Sequence, residues 1–166
     1  MSTIALDTSA AIPFLMRSHP AHALTRRHLL GRTAVLTTQS LAETYSVLTR
    51  LPGDARLKPI DAAALLGVNF SDPVAPEPAM SSQLPEVLAP LGIAGGAVYD
   101  AIVGPAAAAA GFPLVTRDAR ATGTYATVGA TVEIVGGWPP ATGGPAMDRA
   151  ADPPPVELIC GPFSGT

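Results

Sequence analysis

What the 166 residues lack narrows the reading before any motif does. There is a single cysteine, Cys160, so no internal disulfide can form, and no Cys/His group has the spacing of a zinc site. A reducing cytosol is the compartment that suits such a chain. Aromatic residues make up 5% and charged residues 14%, while much of the 48% hydrophobic share is alanine; this mixture suits tight packing of helices on a sheet. Long apolar runs are missing as well. The longest uncharged apolar stretch, residues 101–115, contains Gly104, Pro105, Gly111 and Pro113 and falls short of the ~20 residues that a membrane span needs. No basic run precedes an apolar one at the start, and Asp7 interrupts the early apolar residues, so no secretory leader is expected. Positive charge is not in excess either: the net charge of −3 argues against a grip on nucleic acid through bulk charge alone.

The length supports one domain. From Trp138 onward the composition changes: the 29 residues 138–166 hold seven Pro and four Gly without apolar periodicity. They are expected to form a disordered or loosely docked extension to a domain spanning 1–137, with 156–160 as a short sticky segment. Up to Gly137 there are nine Arg/Lys and ten Asp/Glu. If four of those acids hold metal, nine basic residues face six acidic ones, and a phosphate backbone becomes a tolerable partner.

Short β-like runs alternate with helical ones before Gly137, the pattern of an α/β domain with a mainly parallel sheet. Strands are expected at 3–6, 34–38, 113–116 and 131–135. Helices are expected at 21–30, 40–50, 60–70, 83–91 and 95–110, with a proline-rich loop at 72–78 and hydroxyl caps at Thr8 and Ser9 for a helix after the first strand.

Four acids share a property. Ligands of open parallel sheets bind outside the carboxyl ends of the strands, and Asp7 and Asp118 follow two such ends. Each has a plain alternative role as a cap of the next helix. Glu43 has one too, since Ser40 and Glu43 have capping-box spacing. Asp100 is the most informative, being the only charged residue between Val87 and Thr116. Helical spacing puts Val98, Ala101, Ile102 and Pro105 on a core side and Asp100 away from it, among Gly96, Ala97, Val103 and Gly104. Carboxylates converging on one edge either take up protons or recruit a cation, and hard oxygen donors select Mg²⁺ or Mn²⁺. Such an ion can activate water, orient a phosphodiester and stabilise the leaving oxygen, which is phosphodiester hydrolysis.

Four stretches carry a family resemblance: Ile4-Ala5-Leu6-Asp7-Thr8-Ser9, Ser40-Leu41-Ala42-Glu43-Thr44-Tyr45, Gly95-Gly96-Ala97-Val98-Tyr99-Asp100-Ala101 and Leu114-Val115-Thr116-Arg117-Asp118. Through residues 1 to about 136 the chain resembles the PIN-domain family, and within it the VapC-type toxins of bacterial toxin–antitoxin pairs. The resemblance implies a three-layer α/β/α sandwich, Mg²⁺- or Mn²⁺-dependent endoribonuclease activity, a homodimer and a small cognate antitoxin. It also implies that Asp7, Glu43, Asp100 and Asp118 are the catalytic and metal-binding acids, that Thr8, Ser9 and Thr116 support the metal or its water, and that Arg117 and Arg120 contact phosphate. One departure is Gly104-Pro105, where proline removes a backbone bond to Ala101 at about 3 kcal/mol; a kink or a fresh helical start is expected there.

Rival readings fare less well. A haloacid-dehalogenase phosphatase needs a second acid two residues after the first, where Ser9 stands, and a receiver domain needs its phosphoacceptor in a later strand. The alternative that keeps most weight is a PIN-like binding or dimerisation module whose catalysis has drifted at Gly104-Pro105. His19, His22 and His28 sit together with no nucleophile beside them and read as surface residues.

Overall fold

The computed structural model describes residues 2–136; the expectation for 138–166, Cys160 included, lies outside the described residues. Four strands, β1 (Ser2–Leu6), β2 (Arg32–Leu36), β3 (Leu114–Thr116) and β4 (Val132–Ile134), form one sheet in the order β2-β1-β3-β4, and every pairing is parallel. Parallel strands need helical crossovers, which cover both sheet faces. The alternation of buried side chains shows this directly. Ile4, Leu6, Leu36 and Val115 pack with α1 (Thr8–Leu15), α3 (Thr38–Thr49) and α4 (Pro59–Asn69) through Phe14, Leu15, Leu48 and Leu66. Ala5, Val35 and Leu114 point the other way, onto α7 (Ala97–Ala109) and α8 (Thr122–Thr127) through Val103, Ala107 and Tyr125. The result is an α/β/α sandwich. The remaining helices, α2 (His22–His28), α5 (Pro78–Ser82) and α6 (Leu84–Leu88), are short connectors.

Several sequence expectations shift. The cap of α1 is Asp7, whose side chain accepts from the Ala10 N–H, so Thr8 and Ser9 lie inside the first turn with their hydroxyls free for other work. The capping box at Ser40 and Glu43 does not form: Thr37 caps α3 by accepting from the Ser40 N–H, a contact worth about 1 kcal/mol. That takes Thr37 and Thr38 out of the second strand, which begins earlier, at Arg32, in register with Ser2. Within the expected loop 72–78, Val74 bonds back to Leu36 and Thr38 beside the end of β2. The expected helix 83–91 divides into α6 and a 3-10 turn, Ala89–Leu91.

The largest correction is in α7, which runs through Pro105 without ending. Its core face is Ala101, Val103, Gly104, Ala106 and Ala107, so Gly104 and Val103, assigned to the side of Asp100, are buried, while Val98, Ile102 and Pro105 are only half-buried. Gly104 has a packing reason: a Cβ there would stand 2.6 Å from the Val128 side chain. The departure at Gly104 therefore marks the close approach of α8.

Glu133 of β4 closes the fold on the opposite side of the sheet order. Its carboxylate receives two hydrogen bonds from the Arg32 guanidinium, at 2.7 and 2.8 Å, and lies 2.9 Å from His28 Nε2, joining the two outer strands and α2. The Arg32 bonds, ahead of the cost of burial, pull the Glu133 carboxyl from 4.5 down to about 2. A lowered carboxylate pKa adds stability above the unfolded value, and that stability fades as pH falls through the folded one. Glu133→Gln is therefore expected to destabilise the protein by about 1 kcal/mol at pH above roughly 5. In urea unfolding the gap to the unaltered protein should narrow steadily as pH is lowered towards 2.

Candidate metal centre

Asp7 ends β1, a strand flanked on both sides in the sheet, and is only 5% exposed. Its carboxylate gathers four donors. Oδ1 accepts from the Ser9 hydroxyl at 2.7 Å and from the Ala10 N–H at 2.9 Å. Oδ2 accepts from the Thr116 hydroxyl, at the end of β3, and from the Tyr125 phenol at 3.2 Å. The two hydroxyls are themselves held: Ser9 accepts from the Arg117 N–H at 2.7 Å and Thr116 from the Asp118 N–H at 3.0 Å. Burial nevertheless pushes the Asp7 carboxyl up from 3.8, against the pull of Thr116, Ser9, Ala10 and Tyr125. A carboxylate this well solvated by protein donors and still disfavoured as an anion is one that a nearby cation would relieve.

Asp100 sits in the first turn of α7, half-buried, and meets Asp7 through Tyr125, whose phenol lies 3.4 Å from its Oδ1. Burial raises its carboxyl, and the charge of Asp7 raises it further, with smaller contributions from Asp118 and Glu43. Tyr125 is the residue that sequence reasoning missed. It is 2% exposed and its phenol is pushed far up by burial and by the two carboxylates, so its hydroxyl stays protonated as a donor. The available signal was a lone tyrosine on the short helix after Asp118, and nothing in its spacing marked it.

The other two acids stand at the margin. Glu43, released from helix capping, is exposed and accepts from the Thr8 hydroxyl at 3.0 Å. Asp118 is gripped by Arg120 at 3.0 Å through both Nε and a terminal nitrogen, and the Arg120 bond holds its carboxyl below the usual range. Arg120 is thus directed at Asp118. Arg117 has a buried Nε without a hydrogen-bond partner. His19 accepts from the Ala21 N–H and His22 contacts the Pro13 carbonyl, so both have structural roles. The Asp118 cap of the sequence reading is real only as a turn, accepting from the Arg120 N–H.

Among the described residues no three His, Cys, Asp or Glu side chains close around one point. The arrangement is instead an inner pair, Asp7 and Asp100, with Glu43 and Asp118 close enough to act on Asp100 through space. Its donors are oxygens only, the set that a hard divalent ion prefers, and the upward displacement of both inner acids fits a site that such an ion would complete. The groove of about 680 Å³ lined by Leu41, Tyr45, Leu66 and Phe70 lies elsewhere and contains none of the four acids.

Comparison with known proteins bears on the family and the fold. A family model described as PIN domain matches residues 4–125. The chain is 51% identical over 131 residues to Ribonuclease VapC27 of Mycobacterium tuberculosis, covering 79% of this chain and 96% of that protein. It is 40% identical over 133 residues to Ribonuclease VapC40 of the same organism, covering 80% and 98%. The fold is similar to that of a crystal structure of a member of the VapBC family of toxin-antitoxin systems, VapBC-5, from Mycobacterium tuberculosis, with a TM-score of 0.50 and 24% identity over 81% of this chain and 98% of that one.

The electrostatics make a stability prediction. A carboxyl raised above its unfolded value costs the metal-free fold stability once pH climbs past the ordinary carboxylate range. Asp100→Asn, which keeps an acceptor for Tyr125, is expected to melt a few degrees above the unaltered protein in chelator at neutral pH. The difference should vanish near pH 4 when melting is followed by circular dichroism; a variant that melts lower at neutral pH would contradict the assignment.

Proposed function

The chain belongs to the PIN-domain family, and from that premise we propose that residues 1–137 form a VapC-type ribonuclease, the toxin of a toxin–antitoxin pair, which hydrolyses RNA phosphodiesters with Mg²⁺ or Mn²⁺. The observation that carries the reading is the meeting of Asp7 and Asp100, from β1 and α7, at one phenolic oxygen. Asp7 and Asp100 would hold the cation, with Glu43 and Asp118 completing its surroundings from the margin. The ion, when bound, would activate water and neutralise charge on the phosphate.

The protein's own residues have distinct parts in this reading. Ser9 and Thr116 fix the orientation of the Asp7 carboxylate, and Thr8 fixes Glu43. Arg117, anchored by its backbone to Ser9 and with a buried Nε that has no hydrogen-bond partner, would receive a substrate phosphate, whereas Arg120 would first have to leave Asp118. A homodimer, a cytoplasmic location and a small antitoxin protein that masks the site belong to the same reading. Among the described residues no helix is long and apolar enough to cross a membrane. The alternative of a drifted binding module rested on a break at Gly104-Pro105; because α7 continues and Asp100 remains at Tyr125, it loses its motive.

Purified protein incubated with total RNA is expected to cleave in Mn²⁺ or Mg²⁺ and not in chelator. Asp7→Asn and Asp100→Asn should each reduce cleavage more than about a hundredfold, and Thr116→Val, which touches the acid and not the ion, by about ten- to a hundredfold. Cleavage by Asp7→Asn equal to that of the unaltered protein would rule out the assignment.

A further inference from the structure

Asp7 presents a problem for any cation that it is meant to hold. A carboxylate offers about four lone-pair positions, and in this structure all four accept hydrogen bonds from Ser9, Ala10, Thr116 and Tyr125. One donor has to yield before an ion can take an oxygen of Asp7. Ala10 is backbone and part of the α1 cap. Ser9 and Thr116 are pinned in turn by the N–H groups of Arg117 and Asp118. Tyr125 is pinned by nothing of this kind: its bond to Asp7 is the longest of the four at 3.2 Å, and it is divided with Asp100 at 3.4 Å. A phenol has one hydrogen, so it can satisfy only one of the two acids at a time. It also stands on a helix of six residues.

We propose that the Tyr125 hydroxyl is a displaceable placeholder, holding Asp7 and Asp100 together in the metal-free protein and giving up its place when a divalent cation enters. The proposal rests on the metal-site reading above and adds to it a positioning residue that sets cation affinity. Its consequence runs against the usual effect of removing a polar group from a site. Loss of the hydroxyl leaves the metal-free acids less satisfied and the ion with no competitor, so the cation binds more tightly.

Mn²⁺ binding, read by electron paramagnetic resonance of the free ion, provides the test in the full chain. Tyr125→Phe should lower the Mn²⁺ dissociation constant about three- to tenfold, the size of one net hydrogen bond, while Asp7→Asn abolishes binding. A second measurement needs no change at the site. In a Tyr45→Phe, Tyr99→Phe background, both exposed positions, Tyr125 is the remaining tyrosine, and Mg²⁺ should produce a near-ultraviolet tyrosine difference spectrum that saturates with ion binding. Equal or weaker Mn²⁺ binding by Tyr125→Phe overturns the placeholder while leaving the metal site intact, and so does a silent tyrosine spectrum. Absence of Mn²⁺ binding to the unaltered protein overturns the metal site itself and the placeholder with it.

Discussion

A carboxylate buried at the end of a central strand is the constraint around which this fold is arranged. Asp7 cannot be left in a dry environment without donors, since an unpaired buried charge is among the most costly features a protein can carry. The chain supplies those donors from three directions: the first turn of α1, the end of β3 and the short helix α8. Each of those elements is therefore placed with respect to one side chain. β3 must end at Thr116 for its hydroxyl to reach Asp7, and the chain must turn directly afterwards so that the N–H groups of Arg117 and Asp118 can hold Ser9 and Thr116. The hydroxyl residues of the site thus organise the turn that carries Asp118 as well as the acid that precedes them.

Two kinds of acid result, and the physical difference between them is burial and partner. Asp7 and Asp100 meet at the Tyr125 phenol, both are raised by desolvation, and the charge of Asp7 raises Asp100 further. Asp118 is solvated and held ionised by Arg120, and Glu43 stands exposed against Thr8. An inner pair that would gladly lose negative charge, with Asp118 held ionised beside it and Glu43 at the margin, gathers carboxylates at one spot of the sheet edge. Glu133 shows the same physics turned to a structural end: Arg32 and His28 settle it so firmly that it contributes to holding β4 and β2 together.

Much of this was legible in the sequence, for reasons that can be stated. Apolar runs of β-branched and aliphatic residues bounded by polar ones gave all four strands, since strands buried on both faces need such runs. Asp7, Asp100 and Asp118 were legible because each follows a strand end or opens a helix, places where side chains reach the carboxyl edge, whereas Glu43 lies beyond the first turn of α3. What escaped notice depended on neighbours remote in the chain. Thr37 rather than Ser40 caps α3 because the register of β2 with β1 ends the strand at Leu36, a fact that no local pattern encodes. Which face of α7 is buried could not be told from a segment rich in alanine, where one side is nearly as apolar as the other. Tyr125 was invisible for the plainest reason, that its importance lies wholly in what two other elements bring to it.

Gly104-Pro105 illustrates how a local rule can be right about cost and wrong about outcome. The proline does deprive the Ala101 carbonyl of its helical partner, yet α7 continues, because its buried side is packed against the sheet and α8 over several turns. The glycine before it permits that packing, since any side chain there would collide with Val128. Without the close approach, Tyr125 would not reach Asp100, and Asp7 would have no second carboxylate beside it at the same phenol. The departure in the helix is therefore adjacent to the contact between α8 and the two acids: a side chain at position 104 would meet Val128 at the end of α8 and hold Tyr125 away from them.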